Sequence, residues 1–217
     1  MPPSRPAGTA RGARPRRRVR LDNDQRRAQL LELGKRAFSD RAYDDVSIDD
    51  LARVAGISKG LLYHYFPTKR DLYVAGLREI ADELVEAIVR VPVSLAPIDQ
   101  VRTSVDAYLE HVMRHSRAFV ALMRGGIGSD PEVAAVIESV RTRLFDKFLV
   151  GSPFATLLGG DPRFETAVRG WIGFVEAASI DWCANPRLSR AALCELLTDV
   201  LFGILRVVTP GLLVTPA

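Results

Sequence analysis

Ser58-Lys59-Gly60-Leu61-Leu62-Tyr63-His64-Tyr65-Phe66 sets a hydroxyl, an ammonium, a phenol and an imidazole close together on one short segment. Ser58, Lys59, the Tyr63 hydroxyl and the free amides of a helix start are donors suited to phosphate oxygens. Gly60 lets the backbone come close, Leu61 offers an apolar contact for a thymine methyl, and His64 can donate to a base edge or a phosphate. Lys69, opening the next helix, is placed to hold a nucleic-acid backbone beside the groove. Other chemistry is thinner. His64, His111 and His115 are the only histidines; His111 and His115 are spaced i, i+4, yet no Cys, Asp or Glu is placed to complete a metal site, and Glu110 points to another face. The pair reads as a surface feature, and no metal is expected. There is no Gly-rich phosphate loop after a strand and no nucleophile elbow, so neither an enzyme nor a cofactor is expected. Cys183 and Cys194 are too few for a disulfide framework and read as reduced thiols of a cytoplasmic protein.

The elements that must carry these residues are helical. The 217 residues are 47% hydrophobic and 26% charged, the balance of a soluble chain with a core. No run approaches the ~18 apolar residues of a membrane span; Val200 to Val214 is broken by Arg206, Thr209 and Pro210. Net charge is +4, but seven arginines and no acid lie in residues 1–20, which leaves the rest at −3. That segment, 1–21, reads as a disordered basic arm without the apolar run of a secretory signal, and it suits phosphates or a narrow minor groove. Helical spacing then recurs over Asp22 to Phe38, Ser47 to Val54, Ser58 to before Pro67, and Thr68 to Arg90. It continues over Ile98 to His115, Arg117 to Met123, Asp130 to Val150, Phe164 to Ala184 and Ser189 to Val208. Loops are expected at Gly125 to Gly128 and Gly151 to Asp161. The expected fold is all-α, about nine helices and no sheet.

Ser47 is an N-cap, Asp50 suits the first turn, and Ile48, Leu51 and Ala52 share one face. Gly56 can take the left-handed conformation that ends this helix, and Ser58 caps the next. Two short helices joined by a tight glycine turn make a helix-turn-helix, which presents its second helix to a major groove. Leu62 and Phe66, one turn apart, should anchor that helix and turn Gly60, Leu61, Tyr63 and His64 outward. Residues 21–75 balance nine basic against nine acidic, although Lys59, Lys69 and Arg70 form an acid-free basic stretch. From about Arg26 to Leu77 the chain resembles the DNA-binding domain of the TetR/AcrR family of regulators. The resemblance is carried by Ala37-Phe38, Val46 to Ala52, Ala55 to Phe66, and Thr68-Lys69-Arg70-Asp71-Leu72. It implies DNA-contact roles for Ser47, Ser58, Lys59, Gly60, Tyr63, His64 and Lys69. Pro67 departs from the basic or polar residue usual there and removes one phosphate contact.

The resemblance also implies a DNA-binding domain over residues 22–82, an effector-binding and dimerisation domain over 83–217, and repression relieved by a small molecule. On 164–184, Val168, Trp171, Ile172, Val175, Ala178, Ser179 and Trp182 form one stripe, and Gly173, Ala177, Ile180 and Ala184 a second of mostly small residues. A helix apolar on both faces must be buried on both. With Leu193, Leu196, Leu197, Val200, Leu201, Ile204 and Leu205 on the last helix, this suggests a homodimer through the last two helices, reading a palindromic operator in double-stranded DNA. Candidates to line an effector pocket are Tyr108, Met113, Phe119, Met123, Phe148, Trp171, Phe174 and Glu176. Glu176 could face a cationic or hydroxylated ligand, or pair with Arg169 or Arg143. A helical adaptor that binds no DNA is the rival, separated by the salt dependence of duplex binding in a gel shift.

Overall fold

The computed structural model describes residues 23–92, 94–150 and 160–209, with 148–150 as backbone only. The basic arm, the side chain of Phe148 and most of the expected loop after Val150 lie outside the described residues. Among those described there are nine α-helices and no strand. They are α1 (Asn23–Asp40), α2 (Ile48–Ala55), α3 (Lys59–Tyr65), α4 (Lys69–Val89), α5 (Pro97–Arg114), α6 (Ser116–Arg124), α7 (Pro131–Val150), α8 (Pro162–Ala184) and α9 (Arg190–Val208). Short 3-10 turns occur at Tyr43–Asp45, in the segment expected to be a polar helix end, and at Gly126–Ser129, in the expected loop. Tyr43 is not idle there: its ring packs edge-on against Tyr73 at 5.1 Å and beside Phe38 at 6.2 Å.

Two cores organise the helices. The first takes Leu30, Leu31 and Phe38 from α1, Ile48, Leu51 and Ala52 from α2, Leu62 and Phe66 at α3, and Leu72, Tyr73 and Val74 from α4. These are the spacings that put apolar side chains on one helical face. α1 and α4 meet closely because Gly34 has no side chain: a Cβ there would lie 2.8 Å from Leu72 Cδ1, and Leu72 is fully buried. The second core is built by α5, α8 and α9, with Leu109, Val112, Val168, Leu197 and Leu201 at its centre. Trp171 fixes α8 to α9 by donating from Nε1 to the Leu197 carbonyl at 2.9 Å.

α4 belongs to both cores, contributing Leu72 to the first and Ile88 to the second, so the expected boundary after residue 82 falls within a continuous helix. α7 also crosses over: Val133, fully buried, packs into the first core. Beside it Arg70 of α4 holds Asp130 with two hydrogen bonds of 2.5 and 2.7 Å and Glu132 with one of 2.9 Å, and Arg78 reaches Glu132 at 3.2 Å. The Arg70 guanidinium, helped by the amides of Val133 and Glu132, holds the Asp130 carboxyl down at about 2. Arg70 therefore points away from α3, not into a basic patch with Lys59 and Lys69.

On α8, Val168, Trp171, Ile172, Val175 and Ser179 are buried against the chain's own core, while Gly170, Gly173, Ala177 and Ala184 are exposed on the far side. On α9, Leu193, Leu197, Leu201 and Leu205 are buried, while Leu196 (44% exposed) and Val207 (71% exposed) face outward.

Candidate nucleic-acid interface and effector cavity

The α2–turn–α3 unit is made by caps. The Ser47 hydroxyl accepts the Asp50 amide at 3.3 Å, and the Ser58 hydroxyl accepts the Leu61 amide at 3.1 Å. Between them Gly56 lies at φ 65°, ψ 33°, a left-handed conformation that a side chain would strain. Thr68 and Asp71 then form a reciprocal capping box that starts α4. α3 is only 7 residues long, too short to hold itself in water. Leu62 and Phe66 hold it, being 1% and 3% exposed, with the Arg27 guanidinium 5.0 Å over the Phe66 ring.

That anchoring decides what points out. Ser58, Lys59, Gly60, Leu61, Tyr63 and His64 are all exposed, and Ser47 and Lys69 are half-buried. The cap bonds at Ser47 and Ser58 use oxygen lone pairs, which leaves each O–H free to donate to a phosphate. Lys59 leans on Asp49 at 3.0 Å, an exposed pair that holds its ammonium charged and exchanges readily for another anion. Lys69 places its ammonium 4.4 Å from the Tyr43 ring centre and 3.4 Å from the Asp44 carbonyl, so its stem is oriented before any contact with DNA. The surface thus offers hydroxyl and ammonium donors around a helix start, with apolar Leu61 among them.

Behind this unit lies a cavity of about 160 Å³. Its walls come from the end of α1 (Phe38, Ser39) and α4 (Tyr73, Leu77, Ile80, Ala81, Leu84, Ile88). α5 adds Ser104, Val105, Tyr108, His111 and Val112, its C-cap adds His115, and α6 adds Ala118, Phe119, Leu122 and Met123. α7 and α8 close it with Val136, Ile137, Val140, Leu144, Trp171, Ile172, Val175 and Glu176. Of the residues expected there, Tyr108, Phe119, Met123, Trp171 and Glu176 line it. Met113 and Phe174 do not: at 51% and 40% exposed they sit past the edge of the buried faces of α5 and α8. Each helical residue turns the chain by about 100°, so one step beyond Val112 is enough to face outward.

Three corrections follow. Glu176 is paired, but with Arg141 through hydrogen bonds of 2.9 and 2.7 Å; Arg169 lies 4.0 Å over the Phe145 ring and Arg143 holds Asp82 at 2.5 Å. His111 and His115 are not a surface pair. Their rings meet at 4.9 Å on the cavity wall, and burial, with His115 and Arg114 nearby, pushes His111 down to about 4. The α4 residues were not anticipated as lining, although Leu77, Ile80, Ala81 and Leu84 form a helical apolar stripe beyond the helix-turn-helix. Among the described residues no cluster of His, Cys, Asp and Glu could hold a metal ion, and no helix is long and apolar enough to cross a membrane.

Known proteins share this arrangement. Residues 30–76 match the family described as bacterial regulatory proteins, tetR family, and residues 97–204 the tetracyclin repressor-like C-terminal domain. The chain is 33% identical over 135 residues to the HTH-type transcriptional activator FasR of Mycolicibacterium smegmatis, covering 62% of this chain and 59% of that one. It is 30% identical over 105 residues to the HTH-type transcriptional regulator EthR of Mycobacterium tuberculosis, covering 47% and 49%. The matched part thus spans between half and three fifths of these curated relatives. The crystal structure of a TetR-family transcriptional regulator from Streptomyces coelicolor superposes with a TM-score of 0.79 at 32% identity, over 88% of this chain and 84% of that one.

Proposed function

The chain belongs to the TetR family of bacterial transcriptional regulators, and we propose that it is a ligand-responsive repressor that leaves a palindromic operator when a small molecule occupies the cavity. One observation carries the DNA half of this reading: α3 is pinned by Leu62 and Phe66, and its opposite side, from Ser58 to His64, is open. In the reading, Ser47, Ser58, Lys59, Tyr63 and Lys69 hold phosphates while Leu61 and His64 meet base edges across the close approach that Gly60 allows. A seven-residue helix reads few base pairs, so two copies are needed. The far side of α8, with Gly170, Gly173 and Ala177 exposed, and the outward Leu196 and Val207 of α9 supply the pairing surface.

The effector half is supported by where the cavity lies. One wall is Phe38, Ser39 and Tyr73, which belong to or border the DNA-binding core, and another is Trp171 and Val175 of the second core. A molecule between them bears on α4 and α7, the two helices that join the cores and are clamped by Arg70 and Asp130. It shifts the protein toward whichever arrangement it binds better, and the two copies of α3 lose register with the operator. The sense of regulation is repression, by occupation of the operator; since FasR is named an activator, a promoter–reporter fusion reads the sign directly.

Selection of binding sites from random duplexes tests the reading. It should recover a palindrome whose half-sites lie about one helical turn apart. A gel shift on that site should weaken steeply with salt. Recovery of no preferred duplex, or affinity indifferent to salt, removes the regulator reading in favour of a helical adaptor.

A further inference from the structure

The fold leaves two hydrogen-bonding atoms on the cavity wall unused. The Tyr108 hydroxyl and His115 Nδ1 are buried, and neither finds a hydrogen-bond partner in the protein. Tyr108 is 8% exposed and lies two turns before His115, the residue that caps the end of α5, about 10 Å along the axis. Buried polar groups are almost always paired, so two on one wall call for a partner from outside. The neighbouring hydroxyls give their protons elsewhere, and although Ser179 stands beside Tyr108 with a lone pair to spare, no contact of hydrogen-bond geometry joins the two. Ser179 donates to the Val175 carbonyl at 2.7 Å, and Ser104 to the Ile88 carbonyl at 3.5 Å.

Charge on the wall is closed off as well. Among the described lining residues Glu176 is the one carboxylate, and Arg141 already neutralises it through both oxygens. Among the described lining residues an anion meets no free cation, and a cation meets no free carboxylate. Burial keeps His111 uncharged at neutral pH, which extends the same character along α5. Apart from Ser104 and from Ser39, whose hydroxyl donates to the Lys35 carbonyl at 2.8 Å, the remaining described lining is hydrocarbon and aromatic.

We propose that the cavity takes an uncharged, mainly hydrocarbon molecule bearing a carbonyl oxygen, which accepts a hydrogen bond from the Tyr108 hydroxyl, with His115 serving a second polar group. This rests on the reading of the cavity as the effector site. The Tyr108 O–H is the donor throughout the physiological range, because burial raises its pKa. Selection among ligands then comes from two sources: the orphan donor rewards a carbonyl over a plain alkane, and the absence of a free counter-charge penalises acids and amines.

The test uses the full chain with Trp182→Phe, which leaves Trp171, on the cavity wall, as the sole tryptophan. Its fluorescence is titrated at pH 8 with 2-heptanone, n-heptane, heptanoate and heptylamine. We expect 2-heptanone to bind at least about fivefold more tightly than each of the others, the effect of one neutral hydrogen bond. Tyr108→Phe should remove that preference while leaving n-heptane within about twofold. The thermal shift of the unaltered chain with the same four probes should give the same ranking. Equal binding of ketone and alkane, tightest binding of heptanoate or heptylamine, or a Tyr108→Phe variant that keeps the preference overturns the carbonyl assignment and leaves an effector cavity standing. Silence with all four probes in both measurements overturns the assignment and the effector reading together; the DNA half is judged separately by the gel shift.

Discussion

Tyr63 is 36% exposed on the open side of α3, and its ring takes no part in the buried cores. Tyr63→Ala should therefore weaken operator binding by about tenfold in a gel shift while the circular dichroism melt is unchanged, since the loss falls on one or two contacts of about 1 kcal/mol each. Lys69 differs. Its ammonium over the Tyr43 ring also orders the turn before α2, so Lys69→Ala should weaken binding evenly across sequences and reduce the salt slope by about one. Unchanged affinity in both variants removes the assignment of α3. His111 makes a pH prediction. Its pKa is held at about 4 in the folded protein against 6.5 in a free imidazole, so on acidification the unfolded chain takes up this proton first. Its effect on stability is therefore absent above about pH 6.5 and destabilising as the pH falls toward about 4. The melting temperature of His111→Gln should fall less than that of the natural chain between pH 7 and 4.5; parallel curves would show that burial does not hold the imidazole neutral. The histidine spacing was plain in the sequence. Its environment was not, because that is set by α4, which is remote in the chain, and by the angle at which α6 turns back after His115.

At the scale of the element, α3 exists through its caps and anchors. Ser58→Ala removes the hydroxyl that accepts the Leu61 amide and should cost roughly 1 kcal/mol, with a parallel loss of DNA affinity. Leu62→Ala leaves a void in a site with 1% exposure and should cost about 2–5 kcal/mol in urea unfolding. The α1–α4 contact is the converse case. Gly34→Ala drives a methyl to within 2.8 Å of Leu72 Cδ1 and 2.9 Å of its Cγ, so the fully buried Leu72 side chain must shift, and the substitution should cost about 1–3 kcal/mol. Stability unchanged by Gly34→Ala would mean the two helices can separate without penalty. The helix-turn-helix was legible residue by residue, since caps, the left-handed glycine and the i, i+4 anchors act within a few positions of one another. The 3-10 turn at Tyr43–Asp45 was not, because its aromatic ring is held by Phe38 and Tyr73 from two different helices.

For the whole molecule, the proposed pairing surface is the feature to perturb. Ala177 is exposed on the outer side of α8, so Ala177→Arg costs a single protomer little. In a dimer it buries an unpaired guanidinium where small residues allow close approach. The variant should sediment as a monomer, keep its helical content and lose the operator shift; a dimer of unchanged stability would move the interface elsewhere. The inward stripe of Val168, Trp171, Ile172 and Val175 is buried as periodicity predicts, and Gly173, Ala177 and Ala184 of the second stripe face outward, where the proposed partner would cover them.

The order and extent of the helices, the family and the outward face of α3 follow from local rules, in which a side chain's neighbours are its own caps and turns. Tertiary packing was needed to set Arg70 on Asp130 instead of beside Lys69, to pair Glu176 with Arg141, to expose Met113 and Phe174, and to bring His111 and His115 onto a cavity wall with Leu77 and Leu84. Each of those outcomes depends on which residue, tens of positions away, occupies the facing surface of another helix. Helical periodicity defines a face; what that face meets depends on how whole helices cross.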